Sequence, residues 1–202
     1  MPDRRTLTVL ACLVFGMTSV SALLLALEPG PMAPLSGVSL RSIDEGGSAA
    51  ADRLFETPES LDWRAIVIHD SGARVGSSQS INRVHDDLGR GGLGYHFVVN
   101  NGSDEIDGLI EVGFRWQKQM IGAYLDGEGA SWYHKHAIGI CLIGDSDRST
   151  PTAAQQRELV WLVRQLQRRY GIPADRVLVQ VGSEGASTLF PETGLRAQLI
   201  QR

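Results

Sequence analysis

Apolar residues in this chain recur at two periods, and the period separates strands from helices. Residues 64–69 (RAIVIH) form a short β-branched run without helical spacing, which predicts a buried strand. In residues 77–88, Ile81, Val84, His85 and Leu88 fall on one face at helical spacing, and Gly89 suits the helix end. Residues 95–100 (YHFVVN) read as a second strand, followed by the turn pair Asn101-Gly102. Residues 106–112 are its expected hairpin partner, and residues 138–144 (IGICLIG) a further core strand. The strongest helical pattern spans residues 151–170, with Leu159, Leu162, Val163, Leu166 and Tyr170 on one face. Thr150 is the expected cap and Pro151 the first position. Arg164, Arg168 and Arg169 sit near the negative end, Gly171 closes the helix and Pro173 prevents its continuation. Residues 177–181 complete the set as a final strand. Strands alternating with helices predict an α/β domain with one central mixed sheet flanked by helices.

Before these elements the pattern is different. Residues 6–27 carry no charge and follow Arg4 and Arg5 directly. A bilayer crossing takes about 20 apolar residues, so this stretch is long enough to span one. An uncleaved anchor uses residues 22–27, the strongest apolar run, as its last turns. A cleaved signal peptide ends near Ser19-Val20-Ser21, where small residues have cleavage spacing. In both readings the arginines stay in the cytoplasm and the rest faces the periplasm or the extracellular side, held at the cell membrane or secreted. Residues 28–54 contain Pro29, Pro31 and Pro34 among glycines and serines, and read as a linker. The folded domain is expected over residues 55–202.

Composition narrows the chemistry. The net charge of −4, with no basic run after Arg5, argues against a nucleic-acid partner, because phosphate binding needs clustered Lys and Arg. Cys12 lies in the apolar segment and Cys141 in a core strand, so no disulfide framework or cysteine-based zinc ribbon is expected. His69, His85, His96, His134 and His136 remain as candidate ligands or bases. His85, on a helix face, reads as a boundary histidine rather than a ligand. Cys141 reads as a small apolar residue.

Five segments then occur in one order: IVIHDSG at 66–72, GLGYHFVVNNG at 92–102, GFRW at 113–116, AIGICLIGD at 137–145 and PTAAQQRELVWLVRQL at 151–166. Together they resemble the N-acetylmuramoyl-L-alanine amidase family, which includes the peptidoglycan recognition proteins. The resemblance covers about residues 63–191. It implies a zinc site that cleaves the amide between the muramic lactyl group and the first alanine of the stem peptide. Such a site needs three protein ligands and one open position. By resemblance the first ligand is His69. The second falls at Gln180 and the third at Phe190, neither of which suits zinc. No bound zinc is therefore expected, with His69 packed against Phe190. The resemblance also places Tyr95 and Thr188 at catalytic positions, and Arg115, Trp116, Tyr124 and His134 along the substrate groove. The expected function is a non-catalytic homologue at the cell envelope that binds a peptidoglycan fragment, a muropeptide or a protein partner. A working amidase with an unconventional metal site, or a structural envelope protein without ligand, are the alternatives.

Overall fold

The computed structural model describes residues 60–182 and 189–200. The expected membrane segment and linker, and Thr188, lie outside the described residues. Among the described residues no helix is long and apolar enough to cross a membrane.

Five strands form one mixed sheet: β1 (Ala65–Asp70), β2 (Phe97–Val99), β3 (Ile110–Val112), β4 (Ala137–Leu142) and β5 (Val177–Gln180), in the order β3-β2-β4-β1-β5. β2, β4, β1 and β5 run parallel, and β3 is antiparallel to β2 at one edge. β1 and β4 are apolar along nearly their whole length because both their faces are covered, as parallel strands require.

Alternation along the strands sends side chains into two cores. Ile66 and Ile68 of β1 join Ile138, Ile140 and Leu142 of β4 on one face. Ala65 and Val67 join Ala137 and Cys141 on the other. The first core is closed by α4 (Ala153–Tyr170), whose Leu159, Leu162, Val163 and Leu166 are buried against the sheet, and by α5 (Glu192–Ile200) through Leu195 and Leu199. The second is closed by Leu93, Tyr95 and Tyr124, with Ile81 of α1 (Ser78–Asp87), Phe114 of α2 (Phe114–Gln117) and Tyr133 of α3 (Ala130–His136) packed against it.

The expected helix over 151–170 starts two residues later. Thr152, not Thr150, is the cap: its hydroxyl accepts from Gln155 N–H, while Gln155 Oε1 accepts from Thr152 N–H. This reciprocal box satisfies two otherwise orphan donors and outweighs the proline preference for the first position. The buried Gln155 amide also donates to Val99 and Ile143 carbonyls, tying the helix start to the sheet. Gly171 ends the helix at φ 65, as expected.

Two expectations fail. The hairpin partner of β2 begins at Ile110 rather than residue 106, because Gly108 turns the chain at φ 80 and donates to Asn100 O. In α1 the apolar stripe does not all face inward: Val84 is 56% and Leu88 62% exposed. The helix is instead held by polar contacts. Ser78 donates to Glu111, Asn82 Oδ1 accepts from Leu93 N–H, and His85 Nδ1 accepts from Gly94 N–H. These orient Ser78 and His85 inward and leave Val84 at the rim of a cleft.

Candidate functional site

Because β5, β1 and β4 are parallel, their C-terminal ends lie side by side. The register sets Gln180 opposite His69 and His69 opposite Cys141. These three residues occupy the face of the second core, since His69 is an even number of residues from Ala65 and Val67.

The His69 ring is engaged at both nitrogens. Nδ1 lies 3.1 Å from Tyr95 Oη and Nε2 lies 3.0 Å from Gln180 Oε1. An amide oxygen can only accept, so Nε2 carries the proton and Nδ1 accepts from the tyrosine hydroxyl. Burial holds His69 below the ordinary imidazole pKa, opposed in part by the Gln180 hydrogen bond and the charge of Asp70. The ring is thus neutral at pH 7. Burial pushes the Tyr95 hydroxyl well above its usual value, so it acts as a proton donor and not as a phenolate.

An aromatic floor supports this pair. Tyr124 stacks on Tyr95 at 5.3 Å and 15°, and both rings meet the edge of His69 at 5.7 Å. Tyr124 Oη donates to Ala137 O, so its ring lies flat over β4. That position depends on Gly139: a Cβ there would sit 2.4 Å from Tyr124 Cε1. Tyr124 therefore underlies His69 and does not line an open groove. His134 flanks it, accepting at Nε2 from Leu125 N–H.

Asp70 points away from His69, as alternation requires. Its Oδ2 accepts from Ser146 N–H and Gly182 N–H, fixing the loops that follow β4 and β5. Next to the cluster lies a cleft of about 240 Å³. Its wall is mainly apolar (Val75, Ile81, Val84, Ile143), His85 also lines it, and Tyr95 and Cys141 join it to His69. Burial pushes the Cys141 thiol up, so it contributes an apolar surface, not a nucleophile.

Several expected site residues are placed elsewhere. Phe190 does not touch His69. It is buried in the first core, beside Leu159, Val160 and Leu195 on the opposite side of the sheet. Gln180 and Tyr95 take the place expected for it. Arg115 is buried, and its guanidinium donates to the carbonyls of Leu93, Ile121 and Arg90. Trp116 is 1% exposed and packs on Phe97. Both are scaffold, because a side chain satisfied by backbone or enclosed by core has no face for a ligand. The sequence did not reveal the cleft: the helical spacing only placed Val84 on one face with Ile81, His85 and Leu88, and nothing marked Val75.

Zinc does not fit the described residues. Among them no three His, Cys, Asp or Glu side chains converge. His69 has both nitrogens hydrogen-bonded, Cys141 keeps its proton, and Asp70 faces the other way. A single imidazole falls short of the three donors that a catalytic zinc site uses.

The sequence profile described as N-acetylmuramoyl-L-alanine amidase matches residues 59–188. No curated protein sequence matches the chain. Among solved structures, the endolysin N-acetylmuramoyl-L-alanine amidase LysCS from Clostridium intestinale is similar at a TM-score of 0.56 and 24% identity, covering 72% of this chain and 90% of that one. Wild-type PGRP-LB of Drosophila is similar at a TM-score of 0.51 and 22% identity, covering 67% and 83%. At these identities the likeness establishes a shared fold, a mixed sheet with helices on both faces.

Proposed function

Because the chain belongs to the N-acetylmuramoyl-L-alanine amidase family, we propose that it acts on peptidoglycan as a binding protein, taking a muropeptide at the His69 cluster and the adjoining cleft without hydrolysing it. One observation carries this reading: both ring nitrogens of His69 are held by neutral partners, Tyr95 and Gln180, where a hydrolytic metal would need a free lone pair and further donors.

The chemistry of the described residues supports binding over cleavage. A zinc-bound water is acidified to a pKa of about 7, whereas water without a metal keeps its proton far above neutral pH. The Tyr95 hydroxyl is one donor, and one donor of this kind is worth about a hundred to a thousandfold in rate. Enzymes typically supply at least about a millionfold. The Tyr95–His69 pair, engaged with each other and with Gln180, fixes the end of the hydrogen-bonded chain, and the apolar cleft suits side chains or methyl groups beside it.

The test is to measure muropeptide binding by calorimetry, stem-peptide release by chromatography and zinc content on the same protein. The expected outcome is binding with no release and no stoichiometric zinc. Release of stem peptide together with one zinc per chain would make the protein a working amidase. An absence of muropeptide binding would leave the structural reading.

We also infer that residues 6–27 hold the domain outside the cytoplasmic membrane, on the length of the uncharged run and the position of Arg4 and Arg5. Protease added to intact spheroplasts is expected to digest the domain. Full protection, with digestion only after lysis, would place it inside.

A further inference from the structure

We propose that Gln180 is the ligand-binding donor of this site, its amide nitrogen binding a carbonyl or carboxylate oxygen of the bound peptide where relatives with an intact site would use a metal. This deepens the binding reading above and rests on it.

The inference comes from the direction of the hydrogen bonds. Tyr95 Oη is buried and donates to His69 Nδ1. His69 Nε2 in turn donates to Gln180 Oε1. Each step passes from a buried group to a more exposed one, and Gln180 at the end is exposed. With its oxygen committed to His69, the amide turns its nitrogen outward. Among the described residues that nitrogen has no hydrogen-bond partner, so it offers two N–H groups to a ligand. Hydrogen bonds in a chain polarise one another in the same sense, which makes the terminal amide a better donor than an isolated one.

Position agrees with direction. Gln180 ends the edge strand β5, His69 is next to it in register, and Cys141 follows across the sheet. Cys141 and Tyr95 also line the apolar cleft. A peptide laid across these strand ends would meet a donor at Gln180 and an apolar wall at the cleft. The ligand class this selects is an acyl-amino-acid segment: an oxygen acceptor at one end and an aliphatic group about 10 Å along, two strand spacings away.

Two substitutions separate donation from mere support of His69. Gln180→Glu keeps an acceptor for His69 Nε2–H but removes both outward N–H groups and repels an oxygen. Gln180→Met removes donor and acceptor together. The full-length protein and both variants are titrated with muramyl dipeptide by calorimetry, with thermal melts to confirm that each is folded. Affinity is expected to fall at least about tenfold in Gln180→Met, the size of one lost hydrogen bond, and at least as far in Gln180→Glu. Near-native affinity in Gln180→Glu with loss in Gln180→Met would show that Gln180 only positions His69, and would overturn the proposal. Unchanged affinity in both would overturn it while leaving muropeptide binding intact. If the unmodified protein itself fails to bind, the binding reading falls, and this inference with it.

Discussion

Replacing Arg115 with leucine is expected to lower the stability of the domain by about 3 to 5 kcal/mol, in the range seen when a buried charged group loses its partners or leaves them unpaired. The side chain stands in the second layer, between α2 and the chain segment that carries Tyr95. Its Nε donates to Leu93 O at 2.9 Å, Nη1 to Ile121 O at 2.9 Å and Nη2 to Arg90 O at 2.7 Å. Burial lowers the guanidinium pKa, yet the group stays charged far above neutral pH. Leucine fills part of the volume but leaves these carbonyls with no donor in a partly enclosed site. Lysine offers a single ammonium in place of the planar fork, so Arg115→Lys should recover only part of the loss. Urea unfolding followed by fluorescence gives the measurement. A variant as stable as the original protein, but deficient in muropeptide binding, would return Arg115 to the ligand groove.

That residue also shows where sequence reading stops. The GFRW segment identified the position of Arg115 along the chain, and the structure determines where its guanidinium goes. An arginine next to Phe114 and Trp116 can reach solvent or turn inward, and only the carbonyls of Leu93, Ile121 and Arg90, from three other segments, decide between these. Strand positions were more legible, because continuous β-branched runs such as residues 66–68 have few ways to be buried other than between two layers. The inward face of α4 was legible for a similar reason: 18 residues give several turns over which the apolar stripe repeats. α1 has only 10 residues, and its polar anchors Ser78, Asn82 and His85 outvote Val84 and Leu88. At the candidate site, Gln180 was marked by the family resemblance, and the parallel pairing of β1 and β5 is what sets it beside His69. Phe190 has no such constraint, because it lies beyond the end of β5, where the register of a strand no longer constrains the chain. Its side chain went to the nearest apolar layer, between α4 and α5.

Acid should destabilise this fold strongly between pH 6.5 and pH 4, through imidazoles that act as hydrogen-bond acceptors. His85 Nδ1 accepts from Gly94 N–H, His96 Nδ1 from Gly139 N–H and His134 Nε2 from Leu125 N–H. His96 Nε2 meanwhile donates to Met120 O, so its ring is fully used in the neutral form. A protonated ring has no lone pair, so each protonation breaks a backbone contact around the Tyr95–Tyr124 stack. Burial brings His85 and His96 down to about 4, helped at His85 by the positive charges of Arg90 and Arg115 and at His96 by Arg115. Asp126 opposes the shift at His85, and the Met120 hydrogen bond opposes it at His96. The unfolded chain binds these protons near pH 6.5 and the folded chain only near pH 4, so the unfolded state holds more protons throughout that window. Stability is therefore fully present above pH 6.5 and falls as the pH drops toward 4. For the fully enclosed His96 the loss is at most about 3 kcal/mol, from 1.36 kcal/mol per pKa unit. His85 and His134, which are less enclosed, add smaller amounts. Urea unfolding at pH 7, 5.5 and 4 measures the slope. The sharper test is His96→Gln, whose side chain can donate and accept without titrating: it should be less stable at pH 7 but show a flatter decline toward pH 4. An unchanged slope in that variant would mean that His96 is not one of the groups through which acid acts.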